Sequence, residues 1–476
     1  MNEPPLAQID KQAAAQAAGV LAQVKPLKKL VIAIHGIGDQ YRHATIQSVV
    51  TRFGRYFDFP AAVPLGSFHS PSTKLSAFSF QSPTGRSTPI PPALAEIGFL
   101  EVYWAHIPRG VQKEGYIIEE AKAWARTVAE RVRLNYGQDL RRDLDIREQD
   151  FRSAAAILQE MIETIAILGN LCFLAEKAGL FKFDLDELLT AYLGDVQLVA
   201  DFASYRKEIV QRLRDILDPL WAALQAEDQA PEIYIVAHSE GTVVAFMGLL
   251  DAMSQTNPAD RPAWIDSVRG FMTIGSPIDK HLILWPDIWE PFFKARDPQG
   301  REASPANPPI KRPIRWRNYY DYGDPVGFDL DTVRDWMGEK EHYWKNAFEF
   351  EREDDFGFGR YVLPGAAHNE YWGDRVVFGH FIQNVMEIDP VKGWSFAKGP
   401  HSRWWAMAGS WVIPYLLGFA IVYSGTYLLY KSLRAYVAPT AAEEAAAVPG
   451  STSPDAATAS DSYALQWWHQ WKEAKP

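Results

Sequence analysis

Short runs of apolar, largely β-branched residues alternate with longer amphipathic stretches along most of this chain. Leu30-Val31-Ile32-Ala33-Ile34 predicts a strand buried on both faces, and a helical pattern follows from Thr45 to Phe57. Phe99 to Ala105, Ile233 to Val236, Gly270 to Ile274 and Ile314 to Tyr320 predict further strands. A helix opens after Ile233 to Val236, at Thr242-Val243-Val244, and another is expected over Val376 to Val385. Phe59 to Pro92 is rich in Pro, Ser and Gly and reads as loop. Trp285 to Pro313 is Pro-rich and aromatic, a candidate flap over a substrate. Glu114 to Ala226 carries helical periodicity without intervening strands, more helix than a doubly wound sheet needs. A helical cap over residues 114–229 is therefore expected. Within it Ile157 to Leu180 is charged only at Glu160, Glu163, Glu176 and Lys177. Such a pattern suits a buried cap helix, or a helix lying on a membrane surface.

Strands alternating with helices, each strand ending in a glycine-rich or polar turn, predict an α/β class: a mostly parallel sheet flanked by helices. Sites in such sheets form beyond the C-terminal ends of the strands. The expected organisation is a polar extension over 1–27, a main domain over 28–390, a transmembrane helix over 404–430 and a low-complexity tail over 431–476. The span Trp404 to Tyr430 has no charged residue and is bracketed by Arg403 and Lys431. Trp404, Trp405 and Trp411 gather at one end, and Tyr423, Tyr427 and Tyr430 at the other, as aromatic residues do at bilayer interfaces. Met1 to Gln23 lacks a basic start followed by an apolar core, so no secretory signal is expected. The reading is a single-pass membrane protein with its main domain in the cytoplasm.

Composition narrows the chemistry. The formal net charge of -11 and the lack of a basic stripe exclude a nucleic-acid binder. The only cysteine, Cys172, rules out disulfides within the chain and cysteine-based zinc sites. The histidines show no H-x-x-x-H or H-E-x-x-H pair, so neither a metal nor a cofactor is expected.

Three strand ends carry candidate chemistry. Ala237-His238-Ser239-Glu240-Gly241 places a serine between small residues at a strand-to-helix junction, the layout that lifts a hydroxyl above a sheet beside a helix N-terminus. A serine hydroxyl needs a general base, usually a histidine held by a carboxylate. Downstream the best acid is Asp324, on the turn after a strand, with Asp321 as runner-up or turn-capping residue. The best base is His368, in the small-residue stretch Gly365 to Asn369. His380 falls in a helical pattern, and His281 and His342 have no comparable setting. Donors for a developing oxyanion would come from the N–H of Glu240 and from the turn at Gly36 and Ile37. His35 buttresses that turn, and His238 is expected to face away from the reaction.

Taken together, His35-Gly36-Ile37-Gly38-Asp39, Ala237 to Gly241, Asp324-Pro325-Val326 and His368 resemble the lipase/esterase-like branch of the α/β-hydrolase superfamily, over about Lys28 to Ile388. The resemblance implies Ser239 as nucleophile, Asp324 as acid, His368 as base, and Gly36, Ile37 and Glu240 as the oxyanion hole. It departs from the usual pattern at Ala237, which replaces a glycine, and at the acidic Glu240. The expected activity is hydrolysis of a carboxylic ester, of a lipid or another acyl group, by a membrane-anchored serine hydrolase. The alternative is a catalytically inactive scaffold that uses the same fold to bind a partner at the membrane.

Overall fold

The computed structural model describes residues 27–37, 40–59, 65–68, 77–80, 90–113, 196–255, 260–293, 310–324, 326–338, 344, 346–361, 364–389, 396–406, 416, 419–420 and 423–434. Nine strands are present among them: β1 (Lys29–Ile34), β2 (Leu65–Phe68), β3 (Ala77–Phe80), β4 (Ile97–Val102), β5 (Glu232–His238), β6 (Val268–Ile274), β7 (Ile314–Asp321), β8 (Phe348–Glu349) and β9 (Asp355–Phe358). They form one sheet in the order β2-β3-β4-β1-β5-β6-β7-β8, with β9 beside β7 further along the same edge. The seven strands β1 and β4 to β9 pair in parallel, and β2 and β3 extend the β4 edge antiparallel. The strands expected from the apolar runs are all found, with ends shifted by a few residues. The stretch expected as loop, Phe59 to Pro92, instead contributes β2 and β3. Alternate residues there, Phe78 and Phe80, are aromatic, which favours a pleated edge even amid Ser and Pro.

The period-two alternation of the central strands feeds two separate cores. In β1, Leu30, Ile32 and Ile34 pack into one and Val31 and Ala33 into the other; in β5, Ile233, Ile235 and Ala237 oppose Tyr234 and Val236. The first core is covered by α2 (Ala203–Ala226), α3 (Glu240–Met253), α4 (Ile278–Leu284) and α5 (Asp331–Gly338). Opposite them lie α1 (Ala44–Tyr56) and α7 (Arg375–Asn384), the latter preceded by the short α6 (Pro364–Asn369). Helix α3 is apolar on all sides because α2, α4 and the sheet surround it, as its burial from Glu240 to Leu250 records. Helix α2 buries Ile209, Leu213, Ile216, Leu220 and Leu224 on one stripe. That packing puts it in the layer flanking the sheet. Of the rest of the stretch expected as a cap, residues 114–195 lie outside the described residues, and so does the apolar run Ile157 to Leu180.

The strand order positions the site. The chain leaves β1 for the β4 side and later returns to add β5 on the other side. The C-terminal ends of β1 and β5 therefore flank a crevice at the point where the winding reverses, the usual ligand position in open α/β sheets. The register sets Ile34 beside Ala237, which brings the turn after β1 level with Ser239.

Contacts divide the chain into Met1–Leu417 and Gly418–Pro476. In the second unit the described residues 423–434 are helical and expose Tyr423, Tyr427, Leu429 and Tyr430, with Phe419 stacked on Tyr423. No helix among the described residues is long and apolar enough to cross a membrane. The expected span 404–430 lies partly outside them.

One local feature of the fold has a measurable signature. Helix α1 starts at His43, whose left-handed backbone (φ 74°) offers no side-chain cap. Its first turn is held instead by Glu101 of β4, which accepts from the His43 N–H at 2.6 Å. Burial pushes the Glu101 carboxyl up from 4.5 to about 7, against the lowering pull of the N–H groups of His43, Ile46 and Thr45. A raised carboxyl contributes stability that is complete below 4.5 and is lost as the pH rises toward 7. Glu101→Gln keeps an acceptor and removes the titration. Melting temperatures at about pH 5 and about pH 8 should therefore differ less in the variant than in the wild type. Equal differences would show that Glu101 is ionised throughout.

Candidate functional site

Ser239 sits between β5 and α3 with φ 53° and ψ -133°, a conformation non-glycine residues rarely adopt. Such a backbone costs about 1–3 kcal/mol and persists only where its surroundings dictate it. Here they do. The Ser239 N–H donates to Ile274 O at 3.0 Å, and the Ser239 carbonyl accepts from the Thr242 N–H and hydroxyl at 2.9 and 2.7 Å. Thr242 is fixed in turn by Ser276 at 2.8 Å. The sharp turn also demands small neighbours. A Cβ on Gly241 would lie 2.2 Å from His35 O, and one on Gly36 would lie 2.7 Å from the Ser239 Cβ. Ala237 is fully buried, and its methyl group is accommodated in the core, so glycine is not needed at that position.

The structure brings Ser239, His368 and Asp324 together. His368 Nε2 lies 2.9 Å from Ser239 Oγ, and His368 Nδ1 lies 3.0 Å from both carboxylate oxygens of Asp324. All three side chains are buried. His368 belongs to α6, whereas the sequence suggested a loop. Asp324 lies on the turn after β7, where the Val326 N–H donates to Oδ1 at 2.8 Å. Burial alone would raise this carboxyl. The His368 charge and hydrogen bond, with the N–H groups of Val326 and Gly327, outweigh it and hold Asp324 below the usual carboxylate range. An ionised Asp324 fixes the hydrogen of His368 on Nδ1 and leaves Nε2 free to accept from Ser239.

Sequence reasoning missed a second layer around this chain. Tyr371, three residues after His368, donates from its hydroxyl to Asp324 Oδ2 at 2.7 Å, and the Tyr371 hydroxyl oxygen accepts from the Asp321 N–H at 2.7 Å. Asp321 is the turn-capping residue of the two candidate acids. Its carboxylate accepts from the Gly323 and Arg360 N–H groups at 2.9 and 2.8 Å. Lys280 braces the acid turn from α4, donating to Val326 O at 2.5 Å with its ammonium 3.2 Å from the Phe328 ring centre; burial pushes it down to about 7. Gly275, at φ 59°, lets β6 end against the pair, since a Cβ there would meet Asp324 Oδ2 at 3.0 Å. His380 is structural, bonded through Nδ1 to the Tyr319 hydroxyl at 2.8 Å. His342 and Pro325 lie outside the described residues.

Of the residues expected to supply oxyanion donors, Glu240 directly follows Ser239, and Gly36 lies against the Ser239 Cβ. Glu240 opens α3, so its N–H is a first-turn donor with no intrahelical acceptor. On the other side, His35 Nδ1 donates to Gly36 O at 2.6 Å, while its Nε2 accepts from the Trp104 N–H at 3.0 Å. Because the peptide is planar and trans, fixing the Gly36 carbonyl toward His35 turns the Ile37 N–H the opposite way. Burial lowers His35 to about 4 and keeps it neutral in that buttressing role. The Glu240 side chain neither caps its helix nor reaches water. Its Oε2 pairs with His281 Nε2 at 3.0 Å, both side chains only 2% exposed. A buried carboxylate requires a partner, so an acidic residue in a buried elbow was itself a signal for one. Nothing local identified His281.

The steric demand at Gly241 is open to test. Gly241→Ala should destabilise the protein by about 1–3 kcal/mol, read from the denaturant midpoint, because the methyl group displaces the end of β1. An unchanged midpoint would mean that β1 and α3 are not in this contact.

No protein-family model, curated protein or solved structure matches this chain.

Proposed function

We propose that the chain is a serine ester hydrolase of the α/β-hydrolase kind, held at a membrane by its C-terminal segment. The observation that carries this reading is the continuous hydrogen-bonded path from Ser239 Oγ through His368 to Asp324, at 2.9 and 3.0 Å. His368 Nε2 takes the hydroxyl proton as Oγ attacks the ester carbonyl carbon. Asp324 stabilises the resulting imidazolium without taking the proton itself. The N–H groups of Glu240 and Ile37 supply donors for the tetrahedral oxyanion. His368 then returns the proton to the departing alcohol, leaving an acyl ester on Ser239. Water, deprotonated by the same imidazole, releases the acid and restores the serine.

A scaffold that only borrows this fold has no need to keep serine, imidazole and carboxylate in line, and their alignment favours the enzyme. The exposed aromatic and aliphatic residues among 404–406 and 423–434 support a membrane as the place of action and acyl lipids as substrates.

Labelling by a fluorophosphonate probe should occur in the wild type and vanish in Ser239→Ala, together with hydrolysis of p-nitrophenyl butyrate. Persistent labelling would remove Ser239 from the chemistry. Asp324→Asn should fold and lower kcat by about 10⁴-fold, since an amide no longer enforces the tautomer. The full-length chain should also stay in the membrane pellet through an alkaline carbonate wash. Release into the supernatant would discard the membrane anchor and leave the chemistry standing.

A further inference from the structure

The residue before the serine, His238, does not serve only as packing. Its Nε2 lies 2.7 Å from the backbone carbonyl oxygen of His368. A carbonyl oxygen only accepts, so Nε2 carries the hydrogen. His368 is the penultimate residue of the six-residue helix α6, so its carbonyl is among the last four of that helix, which have no intrahelical donor. The ring of His238 is also packed against the element that carries the base: its centre is 4.8 Å from that of His368, 5.9 Å from Tyr371 and 5.5 Å from Trp372. On its other side Nδ1 faces the turn after β1, where a Cβ on Gly36 would come within 3.4 Å.

Resting on the hydrolase reading, we propose that His238 is a positioning residue for the base: its Nε2–H anchors the His368 backbone at the end of α6 and sets the height of the imidazole above Ser239. The anchor runs from the strand that delivers the nucleophile to the helix that delivers the base. The distance between the two reacting groups is thus fixed by one hydrogen bond instead of by the long route through the sheet. Neutrality matters as much as the donor. Burial, with the neighbouring His368, lowers His238 to about 3. The hydrogen bond to the His368 carbonyl and the Asp324 charge pull the other way, and His35, itself neutral, adds to the lowering. A neutral ring leaves His368 free to take up a proton, which a second imidazolium at this distance would oppose.

His238→Gln and His238→Met are similar in size and differ in the donor. The Gln variant should retain most of the wild-type kcat, whereas the Met variant should lose about 10- to 100-fold in kcat with KM within about twofold. The acidic limb of the kcat/KM profile should stay in place in both, because a neutral His238 adds no charge to the site. If His238→Met fails to fold, His238→Phe replaces it and keeps a planar ring without the donor. Equal kcat in the donor and non-donor variants, or an acidic limb that moves on removing His238, overturns the proposal while wild-type labelling at Ser239 still stands. A wild type that is not labelled overturns the hydrolase reading and this inference with it.

Discussion

The close approach of the β1 and β5 ends is the constraint on which the site depends. Gly241 lies so near the His35 carbonyl that no side chain fits between them, and a Cβ on Gly36 would meet the Cβ of Ser239 at 2.7 Å. This contact holds Ser239 at φ 53°, a backbone angle that would otherwise relax. It also sets Gly36 against the Cβ of Ser239. Parallel pairing of β1 with β5 at the reversal of strand order makes the contact possible, because the two chains leave in different directions and open a crevice between them.

Around this contact, Asp324, His368 and the turn after β1 are each held by further side chains. Asp324 is gripped by the Tyr371 hydroxyl and by the turn braced from Lys280. His368 is tied to β5, the strand that ends at Ser239, through His238. The turn after β1 is locked by His35 against Trp104. These partners are buried, and in a medium of low polarity a misplaced donor or acceptor costs about 1–3 kcal/mol, so the arrangement resists small displacements. Three histidines thus cluster at one sheet end with different roles. Burial holds His35 and His238 neutral, while His368 lies against an ionised carboxylate.

The acidic Glu240 shows how local chemistry and tertiary context combine. Its side chain turns toward His281, 41 positions along the chain, while its backbone N–H opens α3.

What the sequence determined by itself is what depends on near neighbours. The apolar runs at Leu30–Ile34 and Ile233–Val236 announced buried strands, because a strand covered on both faces has no polar positions. Small residues flanking Ser239 announced the sharp turn, because only they permit it. Strand ends followed by Asp324 and Gly36 pointed to one sheet edge, and the order of serine, acid and histidine was legible along the chain. Tertiary structure alone decided the rest. Phe78 and Phe80 joined β3, paired between β2 and β4, where composition suggested loop, since sheet pairing overrides a weak local preference. The pairings of Glu240 with His281, His238 with the His368 carbonyl, and Tyr371 with Asp324 join residues 41, 130 and 47 positions apart. Such partners are set by strand register and by which helix packs where, and neither is written in the pattern of any one segment.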